Sequence, residues 1–119
     1  MAFQTEVEFT LPKGYLDGDG VLHREGVMRL ATAADEILPL KDARVQQNPA
    51  YLTIIVLARV VTRLGALPDV NTKVIEGLFA SDLSYLQALY ESLNGEAGDE
   101  AAAAPSGLSA REFGVMGEA

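Results

Sequence analysis

The stretch Asn48–Gly65, NPAYLTIIVLARVVTRLG, decides how the rest of the chain is read. Asn48 is a good N-cap, because its side-chain oxygen accepts a free first-turn N–H. Pro49 suits the first helical position, where a missing N–H costs nothing. Leu52, Ile55, Val56, Arg59, Val60 and Arg63 fall on one helical stripe, and Ile54, Leu57, Ala58 and Val61 cover most of the remainder. The spacing predicts a helix from Pro49 to Leu64, apolar on nearly every side, with Gly65 ending it. Such a helix has to be covered by other elements or by a partner.

Outward from it, the composition bounds the answer. The chain has 119 residues, 49% of them hydrophobic, which suits one domain with a modest core. A formal net charge of -8 argues against nucleic acid as a partner. The apolar run around Ile54 is far shorter than the ~20 residues of a membrane span. Met1 leads straight into an alternating pattern, so no signal peptide is expected. With no cysteine, disulfides and thiolate chemistry are absent, and a soluble cytoplasmic protein is the default expectation.

Upstream, Phe3, Thr5, Val7, Phe9 and Leu11 alternate with polar residues, which predicts a strand with one wet face. Pro12, Gly14 and Asp17-Gly18-Asp19-Gly20 mark a turn or loop, and a second alternating stretch runs from Val21 to Leu30, weakened at Gly26. The two form an antiparallel hairpin that needs a helix over its apolar face. Thr32-Ala33-Ala34-Asp35 has the form of a capping box opening a short helix, and Leu40–Gln47 reads as a polar connection. Downstream, Asn71 caps a helix through Val74, Ile75, Leu78 and Phe79. Ser81 or Asp82 opens another, with Leu83, Leu86, Leu89, Tyr90 and Leu93 as its stripe. Residues 95–107, GEAGDEAAAAPSG, carry no large apolar side chain and read as a flexible acidic linker before Leu108, Phe113, Val115 and Met116.

The residues offer little chemistry. His23 is the only histidine, so neither a nucleophile–base pair nor a zinc site assembles within one chain. Asp17-Gly18-Asp19-Gly20 superficially resembles a calcium loop, yet Val21 and Met28 stand where oxygen ligands are required. No enzyme, metal or cofactor is expected. For Arg59 and Arg63 two readings stand. Their stems cover the core edge while their heads pair with acids such as Asp69 or Glu76, or they frame an apolar groove for a partner segment.

Three stretches carry a family resemblance: Arg24–Glu36 (REGVMRLATAADE), Leu57–Gly65 (LARVVTRLG) and Ile75–Leu86 (IEGLFASDLSYL). Together they resemble the small tail assembly proteins of contractile phages and phage-like contractile injection systems, over roughly residues 3–94. That family combines an N-terminal strand pair, a short helix and an all-helical second half. The resemblance implies a tail assembly chaperone that binds the helical, aggregation-prone tape-measure protein, helps tail tube proteins polymerise around it, and is absent from the finished particle.

The expected fold is α+β. An N-terminal β-hairpin packs on a small three- to four-helix unit in residues 1–94, followed by a disordered acidic tail in residues 95–119. Candidate partner-contact residues are Arg59, Arg63, Tyr85, Leu89 and Tyr90, with Phe113 and Met116 in the tail. Self-association through the apolar central helix is a further expectation. The competing functions are a permanent subunit of the tail tube or baseplate, self-pairing through the strand Phe3–Leu11, and an acidic cargo-loading adaptor.

Overall fold

A computed structural model describes residues 5–95. It is an α+β fold in which a three-stranded antiparallel sheet, ordered β1-β2-β3, carries several helices. Strand β1 (Glu6–Leu16) pairs with β2 (Leu22–Arg29) as the expected hairpin. The Asp17–Gly20 segment is its turn, where Asp17 Oδ1 accepts the N–H groups of Asp19 (2.8 Å) and Val21 (2.9 Å). Pro12 and Gly14, expected in a loop, lie inside β1. Register with β2 slips between Thr10 and Tyr15, and side chains take over there. Arg24 Nε donates to Leu11 O (3.0 Å), and Asp82 accepts the N–H groups of Lys13 (2.9 Å) and Gly14 (2.7 Å).

The central helix is shorter than its pattern suggests. Helix α3 spans Tyr51–Val60, and the chain passes without a loop into strand β3, Val61–Leu64. Val61, Thr62 and the preceding Val60 are β-branched, a poor helix end and a good strand start. Pairing with Gly26, Val27 and Met28 of β2 supplies what the sequence pattern cannot announce. Asn48 Oδ1 accepts the Ala50 N–H (3.2 Å) in the turn before α3. Arg59 and Arg63 therefore do not share one helical stripe, because Arg63 belongs to the sheet.

Gly26 pairs with Phe9 of β1 and with Leu64 of β3, in the middle of the sheet. A Cβ there would sit 2.4 Å from Arg63 O and 2.6 Å from the Phe9 ring, so a side chain has no room. Gly65, with φ +56, ends β3 rather than a helix.

The capping box opens α1 (Ala33–Ile37), followed by a 3-10 turn (Leu38–Lys41) and α2 (Ala43–Gln47). Helix α4 (Thr72–Glu76) begins on Asn71, whose Oδ1 accepts the Val74 N–H (3.1 Å). Helix α5 (Ala80–Gly95) is separate from it, with the break at Gly77–Phe79. Phe9, Leu11 and Met28 from the sheet meet Val56, Leu57, Val60, Ile75, Leu86 and Tyr90 from the helices in one buried core. The opposite face of the sheet carries Glu8, Thr10, Glu25 and Arg63, all exposed.

Candidate partner-binding surface

The best-defined polar assembly is built on Asp35, 2% exposed. Its carboxylate accepts from both terminal nitrogens of Arg29 (2.7 and 3.1 Å), from Arg59 Nε (2.9 Å) and from the Thr32 N–H (2.8 Å). Thr32 Oγ1 in turn caps the Asp35 N–H, completing the box. The Arg29 guanidinium, with smaller help from Thr32 and Arg59, holds the Asp35 carboxyl well below the usual carboxylate range, against the opposing effect of burial. Arg29 also donates to Arg59 O (2.9 Å), one of the carbonyls that the end of α3 leaves free. Arg59 thus pairs with Asp35 rather than with Asp69 or Glu76, and its head joins α1 to α3.

This assembly holds up an apolar ridge. Ile37, Leu38 and Leu40 are 57%, 47% and 48% exposed, while Pro39 between them is buried. At about three residues per turn, Ile37 and Leu40 stand on one side, Leu38 lies a third of a turn away, and Pro39 points to the opposite side. The far end is pinned as well. Gln46 Nε2 donates to Leu40 O (3.0 Å), and Asp42 caps α2 through the Arg44 N–H (2.8 Å). Arg44 keeps the Asp42 carboxyl down at about 2 and stacks over the Tyr51 ring, 5.1 Å from its centroid. Sequence reasoning missed this ridge by taking Leu40–Gln47 as a polar connection. The available signal was Ile37-Leu38-Pro39-Leu40 itself, an apolar run after a cap.

The expected contact residues divide. Tyr90 is 2% exposed and core-packed, and burial, with a smaller contribution from Glu36, which accepts its hydroxyl, pushes its pKa far up. Leu89 packs against the core. Tyr85 meets Phe9 edge-on at 6.4 Å and lines a shallow groove with Glu8, Thr10, Glu25 and Arg63. Arg63 makes no ion pair among the described residues. The structure thus brings Arg63 and Tyr85 together and assigns Arg59, Leu89 and Tyr90 to the fold. Phe113 and Met116 lie outside the described residues.

His23 is structural. It is 6% exposed, and its Nδ1 accepts the Ala66 N–H (3.1 Å), which leaves the proton on Nε2 to face Asp17 Oδ2 at 2.7 Å. The ring thereby ties the hairpin turn to the segment after β3. Among the described residues no group of three acids or histidines is placed to hold a metal ion, and no helix is long and apolar enough to cross a membrane.

No family model, curated protein or solved structure matches the chain.

Proposed function

We propose that this chain is a non-enzymatic assembly chaperone for a phage-like contractile tail, acting on the tape-measure protein and tail tube proteins before they assemble. The observation that carries the reading is the ridge Ile37–Leu38–Leu40. Three apolar side chains are about half exposed on a backbone braced at one end by the buried Asp35 carboxylate and at the other by the Asp42 carboxylate that caps α2. A braced apolar ridge on an acidic domain suits transient masking of an apolar helical client, because the apolar strip supplies contact and the net charge keeps the complex dispersed. Pairing through β1 into a permanent tube has less support. Asp82 already occupies the Lys13 and Gly14 N–H groups, and Glu6 and Glu8 place charge along the remaining strand.

The test is a pull-down of tagged protein from cells expressing the neighbouring genes, with the assembled particle analysed alongside. Tape-measure protein in the pull-down and none of this chain in the particle is the expected result. Stoichiometric retention in the particle makes it a structural subunit and overturns the proposal, and capture of an effector in place of tape measure makes it an adaptor.

A further inference from the structure

We infer that the Ile37–Leu38–Leu40 ridge takes an acid-flanked amphipathic helix, with Arg59 and Lys41 each receiving one of its carboxylates. The inference deepens the proposed function by naming the chemistry of the client segment, and it rests on that reading for the ridge being a contact surface.

The charge around the ridge runs against that of the rest of the chain. Nine lysines and arginines face 17 acids in the whole sequence. Four of those cations, Arg29, Lys41, Arg44 and Arg59, lie at the ridge or in the ion pairs that brace it, with three acids, Asp35, Glu36 and Asp42. The remaining five cations stand against 14 acids. The acids at the ridge are also engaged. Asp35 lies between Arg29 and Arg59, Asp42 accepts from the backbone and guanidinium of Arg44, and Glu36 accepts the Tyr90 hydroxyl.

Two of the cations keep donors to spare among the described residues. Arg59 gives only its Nε, to Asp35 at 2.9 Å, so its two terminal nitrogens are uncommitted, and its side chain is 37% exposed. Asp35 fixes the plane of that guanidinium and leaves a preset fork, the shape that grips a carboxylate through two parallel N–H donors. Lys41 is exposed and enters no ion pair among the described residues.

Spacing sets the shape of the occupant. Asp35, Leu38 and Lys41 follow one another at intervals of three, on a segment that is α-helical to Ile37 and 3-10 from Leu38. Residues at that interval lie one above the next. The Arg59 head held on Asp35, the Leu38 side chain and Lys41 therefore form a line, with Ile37 and Leu40 alongside. At rises of about 1.5 and 2.0 Å per residue, that line is about 10 Å long. Seven residues of an α-helix cover about 10.5 Å. Acids at positions i and i+7 of a client helix then meet Arg59 and Lys41, and apolar residues at i+3 and i+4 rest on the ridge between them. The match holds for either direction of the client. Elsewhere the net charge of -8 repels an acidic segment, so the same two cations select as well as attract.

The probe is a set of short synthetic helical peptides with a Leu-Leu pair at i+3 and i+4, differing only in carrying Glu, Gln or Lys at i and i+7. Each is titrated into the full chain and followed by amide NMR signals. The Glu peptide should shift Ile37–Lys41 and bind about tenfold more tightly than the Gln peptide through two partly exposed ion pairs, and the Lys peptide should not bind. Lys41→Glu alters a side chain that makes no ion pair in the fold and should reverse the preference at one end, so that a mixed Glu/Lys peptide becomes the tightest. Arg59→Lys keeps a charge beside Asp35 but loses the fork, and should weaken the Glu peptide several-fold with the folded spectrum intact. Equal binding of all the peptides, binding of none, or a Glu preference that survives Lys41→Glu overturns the inference.

Capture of tape-measure protein from cells separates this inference from the proposed function. Capture weakened by Lys41→Glu supports both. Capture that is lost in Leu38→Asp with Leu40→Asp yet unchanged in Lys41→Glu keeps the chaperone and removes the acid-flanked client. The charge-reversal pattern with no tape-measure capture by the native chain does the reverse.

Discussion

The N–H groups of Lys13 and Gly14 fall where β1 loses register with β2, and one fully buried carboxylate, Asp82, serves both. Asp82→Ala leaves two donors without partners and should cost about 3 kcal/mol in a urea titration, while Asp82→Asn, which keeps one acceptor oxygen, should cost less. Asp82 was legible in the sequence as a residue at a helix start. That its oxygens face a strand 68 and 69 residues earlier was not, because no local pattern encodes so distant a partner. Gly26 taught the opposite lesson. It reads as a weak point in a strand, yet the space for its side chain is filled by Arg63 O and the Phe9 ring. Gly26→Ala should destabilise by roughly 1–3 kcal/mol through overpacking, measured in the same titration.

Among the elements, the passage from α3 to β3 was least legible. A four-residue strand placed directly after a ten-residue helix leaves apolar residues at spacings that satisfy a helical template, so periodicity runs on to Leu64. The capped starts of α1 and α4 were legible because a cap is a local hydrogen bond between residues three apart. Helix α1 also sets the acid response of the fold. The folded-state pKa of Asp35 lies below its unfolded value near 3.8, so its contribution is fully present above that value and is lost as pH falls through the depressed one. Stability should hold from neutral pH to about 5 and fall at lower pH. Asp35→Asn should lower it by about 2–3 kcal/mol at pH 7, less than for a fully buried pair because both arginines are partly exposed, and should flatten the acid limb of the profile.

For the molecule as a whole, the α+β class followed from two alternating stretches and a run of caps, and the core from the apolar stripes between them. The candidate surface did not follow. A stripe that builds the core and a stripe that meets a partner have the same spacing, and so Leu89 and Tyr90 read both as the apolar stripe of their helix and as candidate contacts, while the structure packs them against the core. The ridge escaped notice because its three apolar residues crowd one short turn with no periodicity to reveal them. Leu38→Asp together with Leu40→Asp should change unfolding free energy by less than about 0.5 kcal/mol per site, since neither side chain is buried, yet abolish capture of tape-measure protein. A large loss of stability alongside lost capture would instead make these residues part of the core.

The Asp82 clamp has a consequence in the order of synthesis. The strand it completes is among the first segments to be translated, and the carboxylate that completes it comes almost 70 positions later. At about 5–20 residues per second, strand β1 waits roughly 3–14 s after its own synthesis for its last hydrogen-bond partner. During that interval β1 is an uncovered sheet edge. A protein proposed to shield the unfinished parts of an assembly is thus itself unfinished, and open to the same kind of misassociation, until α5 arrives.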